Sequence, residues 1–358
     1  MVQSNRIWLN LDAGDEESSP PPVRGLLIRR GAAGSQPGLR QDPYKVGLVI
    51  EGGGMRGVVA GGMVAALEGL GLTNTFDVVC GSSAGAAAGA YFVAGQARLG
   101  TSIFYEDINN KRFIDVFRPL RFRAIMDIDF LIDIVMRTLK PLNTNRIVSS
   151  KTVLKIVTTD IDSGAGVVLN DFSSGDDVFE AMRASTRIPL IASAPIRIAG
   201  RRLTDGGLVA PIPIQVALDA GCTHLLVLLT RPPSTIKGTP TLLDRFVIGP
   251  LMHMILGGKS AGCYLQRPQL YKSALDLISA SSEFFTKKIP SIAAIRLPSG
   301  SAGVQRLDTN YEILVRGAQD GMNSVFKFFG LQRDNIADVK LFHSRGESRT
   351  GNAGVASQ

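Results

Sequence analysis

The chain has 358 residues, of which 45% are apolar and 20% are charged, and its formal net charge at pH 7 is +8. A chain of this length and apolar content can bury a sizeable core, which excludes a wholly disordered protein. The positive charge favours anionic surfaces in general. Only 6% of the residues are aromatic, and they do not interleave with the basic clusters, so we expect no nucleic-acid groove.

Residues 1–43 are rich in proline, glycine, serine and charge without a sustained period, which predicts a mostly disordered leader. This leader lacks the basic-then-apolar pattern of a signal peptide. No apolar run reaches the ~20 residues that a membrane-spanning helix needs. The cysteines have unrelated spacings that predict neither a disulfide framework nor a metal site: Cys80, Cys222 and Cys263. We therefore expect a cytoplasmic protein with at most peripheral membrane contact.

From residue 44 to residue 232, short β-rich runs alternate with helical segments, as in an α/β fold with a parallel sheet covered by helices. The pattern predicts strands at 46–50, 76–80, 153–159 and 224–229, a strand or hairpin at 196–203, and helices at 55–70, 84–95 and 177–185. We interpret residues 44–232 as the catalytic core. Residues 233–333 are expected to form a helical or mixed extension packed on that core, and residues 334–358 a polar tail.

The first motif joins a strand to a helix and consists of Gly52, Gly53, Gly54, Met55, Arg56 and Gly57. Consecutive glycines allow a sharp turn that presents several N–H groups to an anion, and the following helix dipole adds positive potential. The anion could be a dinucleotide pyrophosphate or the oxyanion of an acyl intermediate. A dinucleotide site needs an acidic residue at the far end of the second strand, whereas Asp77 lies at its beginning.

The second motif, Gly81-Ser82-Ser83-Ala84-Gly85, follows an apolar strand and opens a helix. This is the context of a nucleophile elbow, in which a sharp turn exposes Ser83 and small residues at Gly81 and Gly85 avoid collisions. The N–H of Ala84 could donate to a developing oxyanion. The alternative is that Ser83 merely caps the helix.

A nucleophilic serine needs a base. A Ser-Asp-His order remains arithmetically possible with Asp205 and either His224 or His253, but neither these histidines nor His343 lie in a glycine- or proline-marked loop. The third motif, Asp205-Gly206-Gly207, offers another base after a strand-like run. Gly206 and Gly207 permit close approach of the backbone, although Asp-Gly is also a common turn sequence.

These three motifs, in this order and at these intervals, resemble the patatin-like phospholipase family, whose hallmarks are a G-G-G-x-R-G loop, a G-x-S-x-G elbow and a D-G-G/A motif. The similarity extends to 184–189 (ASTRIP) and 157–160 (VTTD), and it covers about Val46 to Leu229. The departure from the family pattern is Arg187, which is bulkier than the small residue expected there and leaves the local substrate contacts open.

The resemblance implies a three-layer α/β/α sandwich with a mainly parallel sheet. It also implies a lipid acyl hydrolase of the phospholipase A, lysophospholipase or carboxylesterase type, with a Ser83–Asp205 dyad and without a metal or cofactor. Gly52, Gly53, Gly54, Arg56 and Gly57 would build or brace the oxyanion hole. An acyltransferase would use the same acyl-enzyme and differ only in the acceptor. A lipid-binding protein of low activity is the other alternative, although such a protein would be expected to lose Ser83 or Asp205.

The partners expected are a phospholipid or other acyl lipid and a peripheral membrane surface. Residues 126–139 and 246–256 are apolar stretches that could meet lipid, although ordinary core or dimer surface is the more common role of such segments. Arg201 and Arg202, shortly before Asp205, could attract phosphate head groups, or they could simply be solvated.

Overall fold

The computed structural model describes residues 21–121, 123–189, 191–192, 194–232, 240–283 and 290–331. The strands are β1 Val46–Ile50, β2 Val78–Ser82, β3 Val153–Asp160, β4 Gly166–Leu169, β5 Ile196–Ile198, β6 Arg201–Asp205, β7 His224–Leu229 and β8 Ser291–Arg296. The α-helices are α1 Val23–Ala32, α2 Gly57–Gly69, α3 Ala84–Val93, α4 Ala97–Glu106, α5 Thr144–Val148, α6 Gly175–Ser185, α7 Ile214–Asp219, α8 Gly249–Leu256, α9 Ser260–Glu283 and α10 Tyr311–Phe329. Two π-helical segments, Phe130–Leu139 and Asp244–Ile248, complete the longer elements.

The eight strands form one mixed sheet in the order β5-β6-β3-β2-β1-β7-β8, with β4 pairing separately with β3. The centre is parallel, because β3, β2, β1, β7 and β8 all run in the same direction. The hairpin of β5 and β6 adds to β3 in the antiparallel sense. The sheet is therefore mainly parallel, as the sequence predicts, with an antiparallel edge.

Side chains alternate between two faces along the central strands, and each face is covered by helices. On β7, Leu226 and Leu228 belong to the larger core cluster, whereas Leu225, Val227 and Leu229 belong to a second cluster. The larger cluster includes α2, α3 and α10, and the second includes side chains of α7 and α9. This arrangement confirms the three-layer α/β/α sandwich.

The predicted core elements are present with small shifts at their ends. The largest shift concerns β2, which continues through Gly81 and Ser82, because these residues still pair with Ile156 and Val157 of β3. The region predicted as a strand or hairpin at 196–203 is a hairpin.

The expectation of a disordered leader is wrong for residues 21–43. Residues 23–32 form α1, whose Leu26, Leu27 and Ile28 are buried in the core. Proline and glycine on either side of this short helix mask its apolar residues in the sequence pattern. Residues 1–20 and the predicted tail at 334–358 lie outside the described residues.

The region predicted as an extension is part of the same sandwich. Strand β8 pairs in parallel with β7 over all six residues, Ser291 to Arg296. Helix α10 packs along α2, where the α-carbons of Gly62 and Gly321 approach the backbone of the opposite helix. The sheet therefore has no boundary at residue 232.

Candidate active site

Ser83 lies at a sharp turn between β2 and α3. Its backbone has φ 56° and ψ −131°, a strained conformation for a residue with a side chain. A Cβ atom on Gly81 would lie 2.4 Å from the carbonyl oxygen of Gly85, and one on Gly85 would lie 2.4 Å from that of Ile50. Only glycines fit at these two positions. Ser83 makes no side-chain capping bond to α3, so its hydroxyl does not serve as a helix cap.

Strand register brings Asp205 level with Ser83. Val157 of β3 is paired with Ser82, the residue before the turn, and Thr158 is paired with Asp205, the last residue of β6. Ser83, the nucleophile candidate, therefore follows β2. Asp205, the base candidate, ends β6, which is separated from β2 by β3 alone. Both side chains are buried, with 5% of each residue exposed, and both line one cavity.

The two oxygens of the Asp205 carboxyl lie in different environments. Its Oδ1 accepts a hydrogen bond from the N–H of Gly207 at 2.6 Å, which is the turn geometry expected of an Asp-Gly pair. Its Oδ2 is buried and makes no hydrogen bond of good geometry with the described residues. Burial raises the pKa of Asp205, and this rise is opposed by the Ser83 hydroxyl, by Arg267 and by the Gly207 N–H. A carboxylate with a raised pKa is a stronger proton acceptor.

The glycine loop lies directly against the turn at Ser83. A Cβ atom on Gly52 would lie 2.5 Å from the carbonyl oxygen of Ser82 and 2.9 Å from Cβ of Ser83. Gly52, Gly53 and Gly54 line the same cavity as Ser83 and Asp205. Among the described residues, the N–H groups of Gly53, Gly54 and Ala84 donate to no acceptor. These three N–H groups are therefore free to donate to a bound anion.

The remaining motif residues support this geometry. The N–H of Gly57 donates to the carbonyl of Gly54, so it closes the turn and is not available to a ligand. The Arg56 guanidinium lies against the α-carbon of Gly53 and reaches Thr230, and it lines neither cavity at Ser83. Arg56 therefore braces the loop. A Cβ atom on Gly206 would lie 2.1 Å from the carbonyl oxygen of Val157, so this glycine lets the Asp205 turn pack on β3.

Ser185, at the end of α6, fixes the backbone of the turn. Its hydroxyl donates to the carbonyl of Val157 at 2.6 Å and accepts from the N–H of Ser83 at 2.9 Å. Arg187 is bound elsewhere, since its guanidinium donates to Asp129 and to the carbonyl of Ala194. The bulky arginine thus points to a neighbouring loop, and its backbone carbonyl accepts from the N–H of Asp205.

His224 and Asp77, on which the competing interpretations of the sequence depend, do not line the cavities at Ser83. His224 is fully buried at the amino end of β7, and its ring contacts Thr223 and the carbonyl of Pro21. His253 is exposed on α8 and does not line the cavity, while His343 lies outside the described residues. Asp77, the candidate ribose ligand, is engaged by Arg30, Arg40 and the N–H of Val46.

Two cavities meet at Ser83. The first is narrow and has an almost wholly apolar wall. One side of it is formed by Met126, Ile128, Leu131 and Met136, from the stretch 126–139 that was expected to be core or lipid-facing. This stretch buries its apolar side and forms the wall of a cavity that opens at the serine.

The second cavity is larger and more polar, and it carries charged groups. Its wall includes Glu51, Asp205, Arg231, Arg267 and Arg306. Sequence reasoning missed these three arginines, because they lie far apart in the chain and outside any motif. The pair it proposed does not line this cavity: Arg201 is exposed, and Arg202 is bound to Asp162 and to the carbonyl of Leu256.

The described part of the chain contains no group of three or more histidine, cysteine or carboxylate side chains placed to hold a metal ion. It also contains no helix with the length and apolar character needed to cross a membrane.

Comparisons with known proteins identify related sequences and structures. Residues 48–218 match the family model described as patatin-like phospholipase. The uncharacterized protein YjjU of Escherichia coli strain K12 is 27% identical over 224 residues, which are 60% of this chain and 61% of that protein. The chain thus spans less than two thirds of the length of this curated relative. The crystal structure of VipD from Legionella pneumophila is 12% identical with a TM-score of 0.37, over 81% of this chain and 67% of that one.

Proposed function

The chain contains a domain of the patatin-like phospholipase family over residues 48–218, and from this premise we propose that it is a lipid acyl hydrolase of the serine esterase type. The observation that carries the proposal is the position of Ser83, which lies at a strained elbow, beside Asp205, where an apolar and a charged cavity meet. In this proposal, the acyl chain lies on the side of the apolar cavity, and the alcohol part of the ester lies in the charged one. The ester carbonyl then lies at Ser83.

In the proposed reaction, the Ser83 oxygen attacks the ester carbonyl carbon while its proton passes to the Asp205 carboxylate. The N–H groups of Gly53, Gly54 and Ala84 donate to the oxyanion of the tetrahedral intermediate. The alcohol leaves with the proton from Asp205, which leaves the acyl group on Ser83. Water then attacks the acyl-enzyme, gives a proton to Asp205, and releases the fatty acid as that proton returns to Ser83.

Burial supports the choice of Asp205 as the base. An aspartate of ordinary pKa, ~3.9, is a weak base for a serine hydroxyl. The raised pKa of Asp205 brings the carboxyl closer to the pH at which the reaction runs. The unpartnered Oδ2 can accept the proton, while Oδ1 is held by the N–H of Gly207.

An exposed apolar surface supports delivery of the substrate from a lipid layer. We define the apolar rim as the exposed side chains of the segment that begins at Leu242 and ends with α8: Leu242, Leu243, Phe246, Val247, Met254 and Ile255. The same segment supplies Ile248, Leu251 and Met252 to the wall of the second cavity. We propose that the rim inserts into a lipid surface, because it is continuous with the cavity that leads to Ser83.

The direct test of the proposed function is covalent labelling with a fluorophosphonate, which reacts with activated serines. Mass spectrometry should find the adduct on the peptide that contains Ser83, and the Ser83→Ala variant should remain unlabelled. The same two proteins are then compared in the hydrolysis of a short-chain neutral ester such as p-nitrophenyl butyrate. An adduct on another serine, or equal hydrolysis by the variant, would falsify the proposal.

A further inference from the structure

Three arginines converge on the second cavity from separate parts of the chain. Arg231 follows β7, Arg267 lies on α9, and Arg306 lies in the loop before α10. Arg306 is also next to the glycine loop, since its Cγ and carbonyl oxygen would each lie 2.8 Å from a Cβ atom on Gly54. The fold thus places guanidinium groups beside the site at which the ester would be cleaved.

The carboxyl groups in the described wall of this cavity form no ion pair with Arg267 or Arg306, although the charge of Asp205 attracts both. The wall contains two, Glu51 and Asp205. Glu51 is used by Arg231, at 3.1 Å, and by the N–H of Thr230. In the described part of the chain, no carboxylate lies within 4.0 Å of the guanidinium of Arg267 or Arg306. The Nε atom of Arg267 is buried and lacks a hydrogen-bond acceptor there.

The arginines also repel one another. Burial lowers the pKa of Arg306 to about 9, with Arg267, Arg56 and Arg231 adding to the effect. Burial and the charge of Arg231 likewise lower the pKa of Arg267. Holding like charges close together in a partly enclosed site costs folding free energy. This cost is offset when an anion occupies the cavity.

We propose that Arg267 and Arg306 bind a phosphate group of the substrate, so that the ester cleaved at Ser83 belongs to a phosphorylated alcohol whose phosphate carries no cationic cap. A guanidinium offers a planar fork of donors that matches phosphate oxygens, and two such groups can hold one phosphate. A choline or ethanolamine cap would bring a positive charge to a wall that already has three. The proposal rests on the proposed function, to which it adds the class of substrate.

The primary experiment compares three soluble substrates with the same hexanoyl chain, used as monomers so that no lipid surface contributes. These are monohexanoyl glycerol phosphate, monohexanoyl glycerophosphocholine and monohexanoyl glycerol. We expect kcat/KM to be highest for the uncapped phosphate and at least about 10-fold lower for the choline compound, because its trimethylammonium group would lie close to three guanidinium groups. Equal kcat/KM values, or a preference for the choline compound, would overturn the proposal.

Arginine variants separate head-group binding from stabilisation of the oxyanion. In Arg267→Gln and Arg306→Gln, the ratio of kcat/KM for the phosphate substrate to that for monohexanoyl glycerol should fall about 10- to 100-fold, mainly through KM. Arg267→Lys and Arg306→Lys should recover part of this ratio. The matched control is Arg316→Gln, which removes an exposed arginine of α10 outside the cavity. Equal losses with both substrates would assign the arginines to the oxyanion and reject the phosphate site.

A binding measurement keeps the inference separate from the reaction. Isothermal titration of the Ser83→Ala protein with glycerol 3-phosphate should show binding that weakens in the Arg267→Gln/Arg306→Gln double variant, with circular dichroism confirming that both proteins are folded. If Ser83 is not labelled but glycerol 3-phosphate binds through the arginines, the proposed function fails and the anion site stands. If esters are hydrolysed but neither binding nor a phosphate preference is seen, the anion site fails alone.

Discussion

The two ends of the parallel sheet differ in how their arginines are partnered. At the amino end, Arg30 is 2% exposed and donates to Asp42, Asp77 and the carbonyls of Thr75 and Tyr44. At the carboxyl end, the guanidiniums of Arg267 and Arg306 lack a carboxylate partner in the described part of the chain.

The pKa values of these arginines follow the same division. Burial lowers the pKa of Arg30, but the hydrogen bonds to Asp42 and Asp77 outweigh it, and the net shift is upward. The pKa of Arg306 falls instead, to about 9, because burial is joined by repulsion from neighbouring arginines. A buried charge with complete partners holds the fold together, whereas one without partners indicates that a ligand supplies them.

The largest expected effect concerns the chemistry of the carboxyl end. Asp205→Asn keeps the acceptor for the Gly207 N–H but removes the proton acceptor for Ser83. We expect kcat for p-nitrophenyl butyrate to fall by about 10⁴-fold, the scale seen when a member of a catalytic unit is removed. Steady-state rates with active-site titration measure this change. Near-wild-type kcat in a folded variant would show that another group takes the proton.

The second effect concerns the amino end, where Arg30 should matter for stability and not for chemistry. Arg30→Gln leaves Asp42 without its ion-pair partner and Asp77 with Arg40 alone, and it should lower the free energy of unfolding by about 3 kcal/mol. Arg267→Gln should lower it far less, or raise it, because it removes a like-charge repulsion. Urea denaturation of both variants tests the contrast. Equal destabilisation by Arg30→Gln and Arg267→Gln would mean that arginines at the two ends of the sheet contribute alike to stability.

The third effect concerns the apolar rim beside the carboxyl end. Phe246 and Leu39 are each 74% exposed, and Leu39 lies near Arg30 and Asp42 at the amino end. Phe246→Ser should lower the ratio of the rate on phospholipid vesicles to the rate on a soluble ester by about 10-fold, since a buried large apolar side chain contributes ~1.5–3 kcal/mol. Leu39→Ser is the matched control. A similar decrease in both variants would remove the rim as a docking surface.

The smallest expected effect is an increase in stability when Asp205 is replaced by a neutral residue. The raised pKa of Asp205 means that the folded state binds its proton more tightly than the unfolded state does. Stability is therefore lost as pH rises from the ordinary aspartate pKa through the raised one. Asp205→Asn should be more stable than the wild type by roughly 1 kcal/mol at pH 7. The difference in stability should disappear at a pH below ~3.9. Thermal unfolding of both proteins at the two pH values measures it, and a gain that does not vary with pH would contradict this explanation.

Local sequence predicted much of the fold and the elements that carry the motifs. Strand β1, the glycine loop, β2 and α3 are contiguous in the chain, so their periodicity and glycines predict the elbow at Ser83. The alignment of Asp205 with Ser83 depends on the register of β6 on β3, which no local pattern contains. The family resemblance supplied that pairing in advance.

The cluster of three arginines in the wall of the second cavity could not be predicted for a similar reason. Arg231, Arg267 and Arg306 meet only because β7, α9 and the loop before α10 converge after folding. Each by itself is an ordinary basic residue, and Arg201 and Arg202 were better placed in the sequence. What distinguishes Arg267 and Arg306 is the lack of an ion-pair partner among the residues that the structure describes, a property of the three-dimensional arrangement. Helix α1 was not predicted for a different reason: its flanking prolines and glycines match the composition of a disordered segment.

The strained backbone of Ser83 has an evolutionary consequence. A residue with a side chain at φ 56° costs about 1–3 kcal/mol, whereas glycine adopts this conformation freely. A lineage that no longer used the serine would gain stability by drifting to glycine at this position, and it would gain again by exchanging Asp205 for a neutral residue. The proposed chemistry of Ser83 and Asp205 would account for the stability that these two residues cost.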